Sequence, residues 1–219
     1  MRDEFNHLFH EIRRYLDQFP ITEDDLQQRM RAQAVKDGLE HWIIPAEVGC
    51  FLYLLTKLTR AKRIYEIGSY LGYSVTWFAK ALPDDGTVVL TENNETRFKQ
   101  AAQFIAQSPF CSKVILKNCN ALQDLAVADQ LFDIIFIDHD KPYYYDAFQV
   151  AKKKAEKGGL IIADNVLWRS RIVSPQWQED PSTRGVLEFN KVIMSDPEVI
   201  SLIVPIGDGV SLSYVREEP

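Results

Sequence analysis

The sequence predicts an α/β fold: a seven-stranded, mostly parallel sheet with helices on both faces, a helical prelude, and an antiparallel hairpin at its end. Three observations carry this expectation. From Arg63 onward, short β-rich runs alternate with helical stretches, the pattern of consecutive βαβ units. The first sixty residues space their apolar side chains as helices do. The last two β-rich runs are separated only by Pro205-Ile206-Gly207-Asp208-Gly209, too short for a crossover, so one strand must run antiparallel.

Taken in order, Phe5, Leu8, Phe9, Ile12 and Leu16 recur at helical spacing, and Pro20-Ile21-Thr22 leads into a polar second helix near residues 23–36. Pro45 opens a third helix whose apolar face includes Val48, Phe51, Leu52 and Leu55. Strands are expected at residues 64–67, 87–91, 113–116, 132–138 and 159–164. A last helix near residues 183–194 precedes the hairpin strands at 199–204 and 210–214.

With 219 residues, 46% hydrophobic and 26% charged, the chain suits a single domain over residues 1–219, the first sixty residues packing on its core. Apolar runs such as residues 134–137 and 160–163 are strand-length, far short of the roughly 20 residues that span a bilayer. The N-terminus lacks the apolar core of a secretory leader, so a cytoplasmic protein without membrane attachment is expected. Cys50, Cys111 and Cys119 form no CxxC pair, which argues against a disulfide framework or a zinc site and for packing roles. A formal charge of -6 offers nucleic acid no long-range attraction, leaving it a secondary candidate behind a small molecule.

The segment Glu66-Ile67-Gly68-Ser69-Tyr70-Leu71-Gly72-Tyr73-Ser74 joins the first strand to a helix, and its glycines let a ligand approach the backbone. Tyr70 breaks the GxGxxG spacing that a dinucleotide's diphosphate requires, which disfavours nicotinamide cofactors. Glu66 suits an amino group and Glu92, ending the second strand, suits ribose hydroxyls. Amine plus ribose describes S-adenosylmethionine. The alternative is a pair of solvated strand-end carboxylates.

Phe136-Ile137-Asp138-His139-Asp140-Lys141 ends the fourth strand and Ala163-Asp164-Asn165-Val166-Leu167-Trp168 the fifth. If those strands are neighbours, Asp138, Asp164 and Asn165 converge as three oxygen ligands, suited to Mg²⁺, Mn²⁺ or Ca²⁺. A substrate with two vicinal oxygens could chelate such an ion, and Lys141, three residues beyond Asp138, is the candidate general base. The alternative is that the aspartates cap the following helices and Lys141 is a surface lysine. His139 is read as an adenine contact or a satisfied loop histidine, and Trp168 as a wall for an aromatic substrate or a core residue. One or more of Tyr143, Tyr144 and Tyr145 should pack. Lys152-Lys153-Lys154, Arg169 and Arg171 are solvated or bind phosphate.

At these residues the chain resembles the cation-dependent O-methyltransferases typified by the caffeoyl-coenzyme A and catechol enzymes, which share the class I, Rossmann-like methyltransferase fold. The likeness runs from about Ile43 to Val215 and includes Phe189-Asn190-Lys191 and the Pro205 to Gly209 turn. It implies that Asp138, Asp164 and Asn165 ligate a divalent cation, Mg²⁺ foremost, and that Lys141 is the base. It further implies that Ile44, Glu66, Gly68, Ser69, Ser74, Glu92, Ala121 and His139 contact S-adenosylmethionine, with Trp168 and Arg169 facing the substrate. Arg169, Cys119 and Asn120 depart from the family's usual residues. A homodimer acting on a catechol-like small molecule is the expectation. A hydroxylated nucleotide acceptor and a non-catalytic S-adenosylmethionine-binding module are the rivals.

Overall fold

The computed structural model describes residues 11–12 and 14–217, so the helical spacing at Phe5, Leu8 and Phe9 lies outside the described residues. Among the described residues, the helices α1 (Asp25–Lys36) and α2 (Ala46–Thr59) lead into the sheet. A reciprocal capping box starts α1: Asp24 accepts from the Gln27 amide while the Gln27 side chain accepts from the Asp24 amide.

The sheet contains β1 (Arg63–Ile67), β2 (Thr87–Thr91), β3 (Val114–Lys117), β4 (Phe132–Ile137), β5 (Ala155–Ala163), β6 (Val199–Val204) and β7 (Val210–Val215), in the order β3-β2-β1-β4-β5-β7-β6. The first five strands pair in parallel, and β7 slots antiparallel between β5 and β6. The expected fold class holds. β5 begins at Ala155, earlier than residue 159, because its polar first half still pairs at Phe132↔Ala155 before a register shift.

Successive residues of the central strands alternate between two cores, as strand geometry requires. Ile64, Leu90, Ile134, Phe136 and Ile162 face α1, α2 and α3 (Tyr73–Ala81). Tyr65, Ile67, Val89, Ile135, Ile137 and Ile161 face α6 (Tyr144–Lys154) and α7 (Pro181–Ser195) through Phe148 and Phe189. Helices α4 (Glu95–Ile105) and α5 (Ala121–Ala126) complete the βαβ connections. With both faces covered, the strands carry near-continuous apolar runs instead of an alternating pattern.

Residues Glu40–Thr59 have the length and apolar content of a membrane-crossing helix, which the strand-length runs do not. A turn of 3-10 helix at Glu40–Trp42 and a break at Pro45 interrupt the segment, and Val48 and Leu52 pack into the core. Of the cysteines, Cys50 and Cys119 are half-buried, whereas Cys111 is exposed and therefore has no packing role.

Candidate active site

In the strand order, β1 and β4 are neighbours whose connections depart in opposite directions, so a crevice opens beyond their carboxyl ends. There the structure has a cleft of about 1050 Å³. Gly68, after β1, has φ +85°, and a Cβ there would stand 2.5 Å from the Asp138 carbonyl oxygen. Only glycine lets the β1 and β4 loops touch backbone to backbone. The ladder extends one residue past each strand: the Asp138 amide donates to Ile67 O at 3.0 Å and the Asp164 amide to Ile137 O at 3.1 Å. The two aspartates thus stand at adjacent strand ends, as the sequence required of them.

Of the residues expected at the cofactor, Ile44, Gly68, Ser69, Ser74, Glu92, Ala121 and His139 line the cleft. Glu66 does not. It is fully buried, accepts from the Ser74 hydroxyl, and has its second carboxylate oxygen unpartnered. Burial pushes its carboxyl up to about 8, the Asp138 charge adding, against the hydrogen bond from Ser74. Glu66 therefore reaches the cleft only through the Ser74 hydroxyl. Glu92 is fixed by the Asn94 amide at 2.8 Å and by Arg97 Nε at 3.3 Å, and the Arg97 guanidinium lies 5.0 Å from the Trp42 ring centroid.

His139 stacks on Tyr144, with ring centroids 5.4 Å apart and planes at 21°. Both its ring nitrogens are buried without partners, and burial, aided by the Lys141 charge, lowers its basicity to about 4. The imidazole is neutral at physiological pH. Tyr144 is fully buried beneath the site, Tyr143 is exposed and lines the cleft, and Tyr145 is exposed outside it.

Lys141 is buried at the start of the Lys141–Tyr143 turn, with its Nζ 3.3 Å from Asp138 Oδ1, 3.1 Å from His139 O and 2.8 Å from the Tyr144 hydroxyl. Its backbone is held by α7, where a Cβ on Gly185 would stand 2.4 Å from the Lys141 carbonyl oxygen. The surface-lysine alternative is thereby removed. Lys152 pairs with Asp196 and Glu198 and does not line the cleft.

Asp164 is 1% exposed, and its Oδ1 has no partner, while Oδ2 accepts from Asn165 Nδ2 at 3.1 Å. Burial, reinforced by the Asp138 charge, pushes its carboxyl up to about 8, and burial raises that of Asp138 against the pull of Lys141. A desolvated carboxylate oxygen with no donor, beside a second carboxylate and an amide, fits a hard cation. Among the described residues no group of three or more His, Cys, Asp or Glu could hold a metal; two aspartates and an amide make up this donor set.

Past Asn165 the backbone enters the left-handed region at Trp168, Arg169 and Ser170, with φ of 46°, 51° and 59°. Each non-glycine residue there costs roughly 1–2 kcal/mol. The turn is pinned by Asp208, whose carbonyl accepts from the Leu167 amide at 2.9 Å and whose Oδ1 accepts from the Arg169 amide at 2.6 Å. Trp168 lines the cleft and is only half-buried, so it is a wall residue. Trp42, Arg97 and Asp208 join the site without any signal of their own in the sequence, although Asp208 lies in the Pro205 to Gly209 turn.

A crevice at the switch point of this sheet, with an acid behind the β1 loop, another at the end of β2 and β7 inserted antiparallel, defines a class I S-adenosylmethionine-dependent methyltransferase. More narrowly, the chain belongs to the O-methyltransferase family, whose profile matches residues 19–216. It is 30% identical over 220 residues to a catechol O-methyltransferase from Niastella koreensis, covering 96% of this chain and 99% of that one. It is 33% identical to caffeoyl-CoA O-methyltransferase 2 from Eucalyptus globulus, covering 87% and 81%. The Bacillus cereus O-methyltransferase solved with S-adenosylhomocysteine superposes with a TM-score of 0.83 at 26% identity, covering 94% of this chain and 97% of that one. An O-methyltransferase of tomaymycin synthesis from Streptomyces achromogenes, solved with S-adenosylmethionine, gives a TM-score of 0.82 at 26% identity, covering 94% and 96%. This protein is accordingly an S-adenosylmethionine-dependent O-methyltransferase.

Proposed function

We propose that the enzyme methylates one hydroxyl of a catechol-like small molecule, with a divalent cation, Mg²⁺ foremost, held by Asp138, Asp164 and Asn165. The observation that carries this reading is the unpartnered, desolvated Asp164 Oδ1 beside Asp138 and Lys141. The names of the Niastella and Eucalyptus relatives, catechol and caffeoyl-CoA O-methyltransferase, support an acceptor with vicinal oxygens.

A cation bound there would polarise a chelated hydroxyl and lower its pKa. As the neutral amine, having first given up its own proton, Lys141 Nζ beside Asp138 is placed to accept the hydroxyl proton. Trp168 orients an aromatic ring by face contact. Ile44, Gly68, Ser69, Ser74, Glu92, Ala121 and His139 hold the methyl donor, with Glu92 for ribose hydroxyls and Glu66, through Ser74, for the amino group. The test is an acceptor screen with labelled S-adenosylmethionine, with Mg²⁺ present or chelated. Methylation of vicinal diols that chelator abolishes is the expected result. Undiminished transfer in chelator, or transfer to monohydroxy compounds alone, would overturn it.

A further inference from the structure

We infer that the acceptor carries an anionic arm, a carboxylate, which Arg171 and Arg169 bind at the outer end of the cleft; this rests on the vicinal-diol reading above. Both arginines line the cleft beside Trp168. The Arg171 guanidinium lies 4.1 Å from the Trp177 ring centroid and 5.5 Å from that of Trp168, so stacking fixes it in place. Among the described residues, neither guanidinium has a carboxylate within the 4.0 Å of an ion pair.

The charges of both arginines act on Asp208, and that of Arg171 on Asp180, but at a distance: Asp208 accepts the Arg169 backbone amide and Asp180 the Thr183 amide at the start of α7. The planar forks of the two arginines can thus take a carboxylate, which a guanidinium binds through two parallel hydrogen bonds. Lys141 Nζ and the Arg171 guanidinium each sit 5.5 Å from the Trp168 centroid, so the candidate base and the arginine fork share one aromatic wall. The left-handed backbone at Trp168, Arg169 and Ser170 supplies an independent observation. Side chains stand where glycine would fold at lower cost, the kind of strain that recurs at ligand clamps.

The test compares 3,4-dihydroxybenzoate with its methyl ester, identical at the diol and different only in charge. Calorimetry on the Mg²⁺-loaded enzyme with S-adenosylhomocysteine reads binding without turnover, and steady-state kinetics read the acid-over-ester ratio of kcat/KM. The acid is expected to bind about tenfold or more tightly than the ester, the effect of a charged hydrogen bond. Arg171→Gln and Arg169→Gln should each narrow that ratio, and Arg171→Lys should retain part of it. Lys99→Gln, which removes the same charge from an exposed pair with Glu95, should leave it unchanged. Should a glutamine variant fail to fold, added salt must still narrow the wild-type ratio. Equal affinities for acid and ester, or a ratio insensitive to both arginines and salt, overturn the inference. Preferential binding of the acid with methylation of neither compound would leave the anion site standing and remove the catechol reading.

Discussion

The Lys141 ammonium donates to the Tyr144 hydroxyl at 2.8 Å, and that hydroxyl donates onward to the Asp164 carbonyl at 3.0 Å. One buried tyrosine thus links the candidate base to the backbone of a candidate metal ligand. Tyr144→Phe should lower kcat about tenfold while KM for the acceptor changes little, because Lys141 retains Asp138 and His139 O but loses its shortest partner. The orphaned Asp164 carbonyl should cost about 1–3 kcal/mol of stability. Kinetics and thermal melts check both parts, and an unchanged kcat would uncouple Tyr144 from the base.

Metal binding can be read without catalysis. In the metal-free protein Asp138 and Asp164 are two desolvated carboxylates side by side, an arrangement that opposes folding unless a cation enters. Mg²⁺ should therefore raise the melting temperature of the wild type, and Asp164→Asn should abolish that rise. The metal-free variant should melt higher than the metal-free wild type, while methyl transfer falls by about a hundredfold or more. A rise of equal size in both proteins would place the cation elsewhere.

Glu66 sets a pH dependence. Its folded-state value of about 8 lies above the ordinary 4.5, so the folded protein binds this proton more tightly than the unfolded chain. Across that window the folded state holds more protons, and stability falls as pH rises. Glu66→Gln carries no charge to bury and should flatten the decline. The two proteins should melt alike near pH 5, and the variant should be more stable at pH 9 by up to a few kcal/mol. S-adenosylmethionine should nevertheless bind the variant more weakly. Parallel melting curves across the range would show that Glu66 is not the titrating group.

Legibility in the sequence followed how local each signal was. Asp138, Lys141 and Asp164-Asn165 could be read because each sits within a few residues of a strand end, and the alternation of strands and helices placed those ends together. The parallel-then-antiparallel sheet was legible for the same reason: the Pro205 to Gly209 turn is too short for any other connection. Tyr144 was not separable from Tyr143 and Tyr145, since which tyrosine turns inward depends on the phase at which the Lys141–Tyr143 turn passes into α6. Glu66 withdraws behind Ser74 because strand alternation places it, like Ile64, on the face of β1 that α3 covers. The Trp177 stack on Arg171 had no periodic signature in an irregular segment.

Two substitutions separate the stability of the left-handed backbone from its use. Arg60 ends α2 at φ 56°, and Ser170 lies in the acceptor turn at φ 59°. Replacing either by glycine removes a comparable steric cost in the folded state, offset in part by the greater freedom of glycine in the unfolded chain. Each variant should gain up to about 1 kcal/mol, a rise of roughly 2–4 °C for a domain of this size. Their effects on activity should differ. Arg60→Gly lies outside the cleft lining and should leave kinetics unchanged, whereas Ser170→Gly frees the turn that presents Trp168 and Arg169 and should raise the acceptor KM several-fold. Equal KM values in the two variants would mean that the strained turn is held by Asp208 alone and that its side-chain positions do not depend on residue 170.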